Sequence, residues 1–454
     1  MKQHYMLFFI IAILFMSRNG NANDCHSELS AFLKPIYSGS SLKWALEATL
    51  SAGKMDNLVL DRTFNNQMLL LGLDYSAGAH QLYFEGGAKF WNRSDEDEYN
   101  GGNSGSTWSN YSKPEKNNWG LRELFYGNYQ ANSKIKAGLQ SMRLGNSMIL
   151  DERVLGISLN QKLGAFDIDF KIGTVSTDFS RQGDFCGKRH VNRLFRGGRF
   201  NLVSADLWET NFIGALITFD PSYEKPVENA NKTSDDSFSD DSFSDDFSSD
   251  DFSSDGFDDF SEFEEPKKRL IKSISLVLFE EFGSGFHDYK YYFGLLAKLS
   301  LPALVELETE ILYQYIKDEK AFAYRFQLSR DWTWPSGALT NLSLSYLGEE
   351  SIDDNTKFYS AFSNLLMGEV MQLDVLDLPF WTISVKHDFP IMFKPSIKVF
   401  YLEQTETNHL NEWDFQLSAH FFKGFRVYAT YSTIVTDLLE GHTDMIRLET
   451  KWAF

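Results

Sequence analysis

Charged side chains recur at every second position along several stretches of this chain, facing apolar ones, and any chemistry it performs has to start from that spacing. The basic positions are Lys43, Lys89, Lys134, Lys136, Lys171, Arg325, Lys386, Lys398, Arg426 and Arg447. The acidic ones are Glu47, Glu85, Asp167, Asp169, Glu306, Glu308, Glu310, Asp388, Asp414 and Glu449. The two sets nearly balance. Rings of one sign around a water-filled path select the opposite ion, so a balanced mixture implies a hydrated lumen of modest selectivity. Alternatively, facing charges pair across strands and stiffen a wall; spacing alone leaves both readings open.

Other chemistries lack a pattern. There is no Gly-x-Ser-x-Gly elbow, no His-Glu-x-x-His, no phosphate loop and no Cys-x-x-Cys-His, so a hydrolase is the weakest reading. No catalytic residue, metal, cofactor or nucleic-acid partner is expected. Cys25 and Cys186 are the only cysteines. They can form one disulfide in an oxidising compartment, or, with His26 and His190, offer metal ligands without a closed zinc-type spacing.

The elements that hold these residues have period two. Leu82, Phe84, Gly86, Ala88 and Phe90 oppose Tyr83, Glu85, Gly87, Lys89 and Trp91; Phe166, Ile168, Phe170 and Ile172 oppose Asp167, Asp169, Lys171 and Gly173. Trp413, Phe415, Leu417, Ala419 and Phe421 oppose Glu412, Asp414, Gln416, Ser418 and His420. A helix cannot place these apolar residues in one stripe, whereas a strand with one face to lipid and one to water does so directly. No stretch approaches the roughly 20 apolar residues of a membrane helix. A closed barrel is then the remaining way to span a bilayer, and it suits the 15% aromatic content, because Trp and Tyr at strand ends form interfacial girdles.

Links between strands alternate in length. Short ones fall at residues 76–80, 131–133, 163–164 and 422–424, and long polar ones at 92–118, 174–203 and 348–373. Short turns on one side and long loops on the other are the habit of outer-membrane barrels. Threading them gives an all-β, antiparallel, up-and-down transmembrane barrel of about 18 strands, with about 16 as the alternative because strands near residues 202–219 are hard to bound.

Both ends of the chain agree with export to a bacterial outer membrane. Lys2, an apolar run over residues 5–16, and Gly20-Asn21-Ala22 read as a signal peptide over residues 1–22, with an uncleaved anchor disfavoured by the short run. In the last ten residues Ile446, Leu448, Thr450, Trp452 and Phe454 alternate with Met445, Arg447, Glu449 and Lys451. Trp452 and the final Phe454 resemble the signal read by the barrel-assembly machinery, which joins outer-membrane lipid and lipopolysaccharide as an expected partner.

The remaining division is a segment at 23–40 on the periplasmic side, a first barrel part at 41–233, an insert at 234–265, and a second barrel part at 266–454. The insert is a Ser/Asp/Phe tract whose aspartates repel and whose Phe238, Phe243, Phe247, Phe252, Phe257 and Phe260 are too sparse for a core. Disorder is expected on the periplasmic side. A solvated linker, a weak calcium trap and a partner-binding tail all remain open for it.

Residues 119–176 resemble a known family. Arg122-Glu123-Leu124-Phe125-Tyr126, then Lys136-Ala137-Gly138-Leu139-Gln140-Ser141-Met142-Arg143-Leu144-Gly145, then Ile149-Leu150-Asp151-Glu152-Arg153 are similar to the alginate-export family of outer-membrane channels and related porins. Gly138, Gln140 and Gly145 match that pattern; Leu139 stands where the family usually has Arg, and Arg143 and Arg153 are the nearest basic side chains. The resemblance implies a monomeric 18-strand barrel that carries an anionic polysaccharide or small solutes through a loop-gated, electropositive constriction, with Gln140, Arg143 and Arg153 lining it. The alternative is a loop-plugged structural or adhesive barrel; a disulfide between Cys25 and Cys186 would favour such a plug.

Overall fold

The computed structural model describes residues 40–56, 61–93, 117–146, 148–175, 210–221, 223, 270–282, 289–302, 305–316, 319–352, 357–358, 379–405, 410–422, 424–435 and 442–453. The expected signal peptide, Cys25, Cys186, the insert at 234–265 and Phe454 lie outside the described residues.

Within them the alternating segments form eighteen strands. The first nine are β1 (Ser40–Asp56), β2 (Asp61–Ala77), β3 (His80–Arg93), β4 (Asn117–Gln130), β5 (Ser133–Leu144), β6 (Leu150–Leu163), β7 (Phe166–Val175), β8 (Thr210–Phe219) and β9 (Ile271–Phe282). The second nine are β10 (Lys290–Leu301), β11 (Val305–Ile316), β12 (Glu319–Thr333), β13 (Leu339–Ser351), β14 (Phe380–Asp388), β15 (Ser396–Gln404), β16 (Asn411–Phe422), β17 (Phe425–Val435) and β18 (His442–Ala453). Each pairs antiparallel with its neighbour in sequence, and β18 pairs with β1 from Glu47↔Ala453 to Asp56↔Asp444, so the sheet closes. Closure leaves no open sheet edge for lipid to meet.

The outside of the cylinder is apolar. Leu42, Trp44 and Leu50 on β1, Phe293 and Leu295 on β10, Phe326 and Leu328 on β12, and Leu342 and Leu344 on β13 are all exposed there. Above this aliphatic band the rings of Trp381, Tyr401, Trp413, Phe415 and Tyr431 run from strand to strand, with Trp381 to Tyr401 at 5.0 Å and Tyr401 to Trp413 at 4.5 Å. A hydrocarbon-facing belt edged with amphipathic aromatics is what a membrane-spanning barrel needs.

An even strand number sets the start of β1 and the end of β18 at one end, here the terminal end. Most connections there are short. The β8–β9 connection, which contains the insert, leaves the same end. The far end departs from the expected habit at its short links, because only residues 57–60 separate β1 from β2, 145–149 separate β5 from β6 and 317–318 separate β11 from β12. A second departure is Phe421, expected to face outward; the β16–β17 register shifts between His420 and Phe422, and Phe421 is buried with Phe393 and Phe425 against its ring. An extra residue in one strand lets neighbouring side chains leave strict alternation.

Candidate functional site

The inner face of the wall carries the charged register. Lys43 and Glu47, Glu85, Lys134 and Lys136, Asp167, Asp169 and Lys171, Glu306, Glu308 and Glu310, Arg325, Lys386 and Asp388, Lys398, Asp414, Arg426, and Arg447 and Glu449 each alternate with outward apolar neighbours on their strands. The side chain of Lys89 is outside the described residues.

Many of these charges are bound to one another. Arg122 Nη1 lies 2.5 Å from Glu85 Oε1, and the Tyr83 hydroxyl donates to Glu85 Oε2 at 2.7 Å. Lys290 faces Glu281 at 3.3 Å, with the Tyr292 hydroxyl donating to that carboxylate at 3.0 Å. Lys298 meets Glu308 at 2.6 Å, Lys386 meets Asp388 at 3.0 Å, and Lys451 meets Glu47 at 3.8 Å; Lys171 pairs with Asp169 and Lys272 with Glu306. Arg122 was not among the expected lining residues. It faces inward because the β3–β4 register shifts between Glu85 and Gly86, so Arg122 and Glu123 both turn into the lumen, where Ser141 Oγ donates to Glu123 at 2.5 Å. Two adjacent charges in one strand were the available signal.

Gln140, Arg143 and Arg153 are not on the wall. The β4–β5 pairing stops at Leu124↔Leu139 and the β6–β7 pairing begins at Leu155↔Thr174, yet β5 and β6 stay paired to Leu144↔Leu150. The distal part of this hairpin, residues 140–154, has therefore left the wall on both sides. β5 approaches β8 across two intervening strands, so this part turns into the barrel. At roughly 3.3 Å per residue, five residues make an arm about 17 Å long.

Three glycines in one cross-strand row, Gly138↔Gly156↔Gly173, mark where the arm departs. Gly138 has φ +132°, and a Cβ there would lie 2.8 Å from Phe125 Cα. A Cβ on Gly156 would lie 2.7 Å from Gly173 Cα. The sharp turn and the tight approach both exclude side chains.

Residues directly opposite in an antiparallel pair share a face, so the arm is amphipathic. Met142, Leu144, Leu150 and Val154 belong to one side, with Gln140 and Glu152; Ser141, Arg143, Asp151 and Arg153 belong to the other. The apolar side, with Met148 and Ile149 at the tip, is buried in one cluster with Val175, Phe212, Val277, Phe279, Tyr292 and Leu312 of the wall. Phe358, in the β13–β14 connection, joins it edge-on to Tyr292 at 5.9 Å, and its amide donates to Glu349 at 3.0 Å. At the tip the Asn146 amide donates to Glu310 at 3.5 Å and Arg325 donates to the Asn146 carbonyl at 3.5 Å. Gln140 is tied to β6, donating to the Gly156 carbonyl at 3.3 Å and accepting from Ser158 at 3.0 Å. The arm thus fills part of the lumen with packed hydrocarbon, and on its other side it exposes Arg143 while Asp151 and Arg153 are buried.

No protein-family model matches the chain, and no curated protein matches its sequence. Solved structures match in fold. A BenF-like porin from Pseudomonas fluorescens Pf-5 aligns at 11% identity over 91% of this chain and 98% of its own, with a TM-score of 0.51. OccAB2 from Acinetobacter baumannii gives 11%, 91%, 98% and 0.51, and OccK2 (OpdF) from Pseudomonas aeruginosa gives 10%, 92%, 99% and 0.51. At such identities the likeness is one of fold: a closed antiparallel barrel of the porin type. Of the two relations drawn from residues 119–176, the porin one shares this fold, and the alginate-export one finds no support in these comparisons.

Proposed function

We propose that the chain is an outer-membrane channel of porin type, which passes small hydrophilic solutes through a charged aqueous lumen narrowed by the β5–β6 arm. The observation that carries this reading is the arm itself, whose apolar side packs on the wall and whose other side presents exposed Arg143 beside buried Asp151 and Arg153. A hydrolase or adhesin has no need of such a partition, whereas a conduit gains a defined narrow section. A polymer would have to thread past an element packed on one wall that meets Glu310 and Arg325 at its tip, which favours small solutes as cargo. On this reading the terminal end faces the periplasm, lipid and lipopolysaccharide contact the apolar outside, and the barrel-assembly machinery reads β18 with Trp452.

Purified protein in a planar bilayer tests the reading. Steady open channels with weak ion selectivity in a salt gradient are expected from the paired wall charges. Electrically silent insertion of correctly folded protein would refute it.

A further inference from the structure

We propose that Arg330 and His387 form a binding site for the phosphorylated headgroup of a membrane phospholipid, on the outside of the barrel in the leaflet at the terminal end. The inference rests on the barrel sitting in a bilayer and not on what passes through it. Tyr324, Phe326, Leu328, Arg330 and Trp332 share the outward face of β12, and Phe326 and Leu328 are exposed on it. The residues directly beside Arg330, Val305 on β11 and Leu342 on β13, are apolar. A guanidinium keeps its proton at any ordinary pH, so this charge cannot be relieved by neutralisation, and a charge among lipid tails is costly unless it finds a partner.

The protein supplies none of opposite sign. Among the described residues Arg330 has no carboxylate within ion-pair distance, and its guanidinium instead lies over the Trp332 ring at 4.5 Å. The acids nearest in sequence turn inward: Asp331 accepts from Asn341 at 2.6 Å, and Asp388 pairs with Lys386 at 3.0 Å. Arg330 stands three residues before the end of β12 at Thr333, or about 10 Å of strand. From that depth a long side chain reaches the headgroup layer while its stem stays in hydrocarbon.

A second donor sits two strands away. Trp334 Nε1 donates to Thr340 Oγ1 at 2.7 Å, and Thr340 Oγ1 lies 2.7 Å from His387 Nδ1. An indole only donates, so Thr340 Oγ1 accepts from Trp334 and its own hydrogen is free to point at His387 Nδ1. With the hydroxyl so oriented, Nε2 carries a ring proton, for which the described residues offer no acceptor. Phe389 meets the ring edge-on at 4.4 Å and fixes its plane. Arg330 and His387 are about 12 Å apart, two strands across and two residues along. Arg330 holds the phosphate, and His387 Nε2–H donates to the glycerol or ester oxygens beside it. A guanidinium stacked on an aromatic and a ring N–H donor, with acids directed elsewhere, recognise a phosphodiester and not an ammonium or a sugar.

The test is native mass spectrometry of the full chain, delipidated in detergent and titrated with dioleoylphosphatidylglycerol or with a galactosyl diacylglycerol that lacks phosphate. The chain is expected to retain the phospholipid and release the galactolipid. Arg330→Gln should weaken phospholipid binding about tenfold, the loss of one charge-assisted contact. His387→Phe should weaken it by a smaller factor. Heat-modifiable mobility in electrophoresis shows that each variant is folded, and Arg330→Lys, which keeps the charge but loses the two-pronged fork, replaces Arg330→Gln if the latter fails to fold and should also bind more weakly. Equal retention of the two lipids by the unaltered protein, or unaltered retention by the folded Arg330 variants, overturns the proposal.

Discussion

On the channel reading, truncating the apolar side of the arm should widen the path without opening the barrel. Leu144 and Leu150 are directly paired, 1% and 0% exposed, and sit among wall side chains that include Phe212 and Phe279. Six apolar arm residues, Met142, Leu144, Met148, Ile149, Leu150 and Val154, are buried there. At about 1.5–3 kcal/mol each they contribute on the order of 9–18 kcal/mol, an upper estimate since the released arm would still bury some surface. The two tip hydrogen bonds are long, at 3.5 Å each, and net bonds of that kind are worth about 1 kcal/mol or less. Packing, not the tip, therefore holds the arm. The double variant Leu144→Ala/Leu150→Ala should remove about 4–10 kcal/mol, roughly half of that attachment. Because β5 and β6 below the glycine row remain paired to β4 and β7, the wall persists. Single-channel recording should then show larger conductance with added flicker, while the folded band in unheated electrophoresis is retained. Unchanged conductance and noise in a folded variant would refute the idea that the arm narrows the lumen.

Three further outcomes follow from the same geometry. Arg122→Met leaves the buried Glu85 carboxylate without the guanidinium that meets it at 2.5 Å; it should cost about 3–5 kcal/mol and lower the temperature at which the folded band converts, and adding Glu85→Gln should restore most of the loss. Gly138→Val places a branched residue at φ +132° against Phe125, a strain of at least about 1–3 kcal/mol that should lower the same temperature and change the conductance together. Deleting residues 234–265 should leave assembly and heat-modifiability intact, since β8 and β9 are paired from Asn211↔Phe282 to Phe219↔Ile274 without it; loss of the folded band would contradict this.

The wall was legible because lipid and water impose opposite demands on successive residues. β7, with Asp167, Asp169 and Lys171 against Phe166 and Ile172, needs no tertiary information to be oriented, and the same holds for β16 and β18. The arm was not legible from periodicity alone, because its residues alternate just as a wall strand does. What changes is the phase. Ile135, Ala137 and Leu139 put apolar residues at odd positions of β5, and Met142 and Leu144 put them at even ones; on β6, Val154 and Leu155 are adjacent where the phase reverses. A strand whose inner face becomes apolar has something other than water in front of it, and the reversal falls at the row of Gly138 and Gly156. The register shift that turns Arg122 inward left a smaller trace, one extra charge in an otherwise alternating strand.

The division of the lumen also decides which charges can matter to a passing ion. A wall charge that already meets its opposite, as Lys298 meets Glu308 or Lys386 meets Asp388, projects a field that falls off quickly in water. Arg143 is differently placed. It is exposed on the polar side of the arm, shares the neighbourhood of Glu310 and Arg325, and makes no ion pair among the described residues. On the channel reading, the narrowest section therefore takes its sign chiefly from the arm, while the near-balance of charge around the wall keeps the rest of the path almost neutral. Width and selectivity are then set by one element, so a change that frees the arm must alter both in the same step, whereas a change to a paired wall charge should alter neither by much.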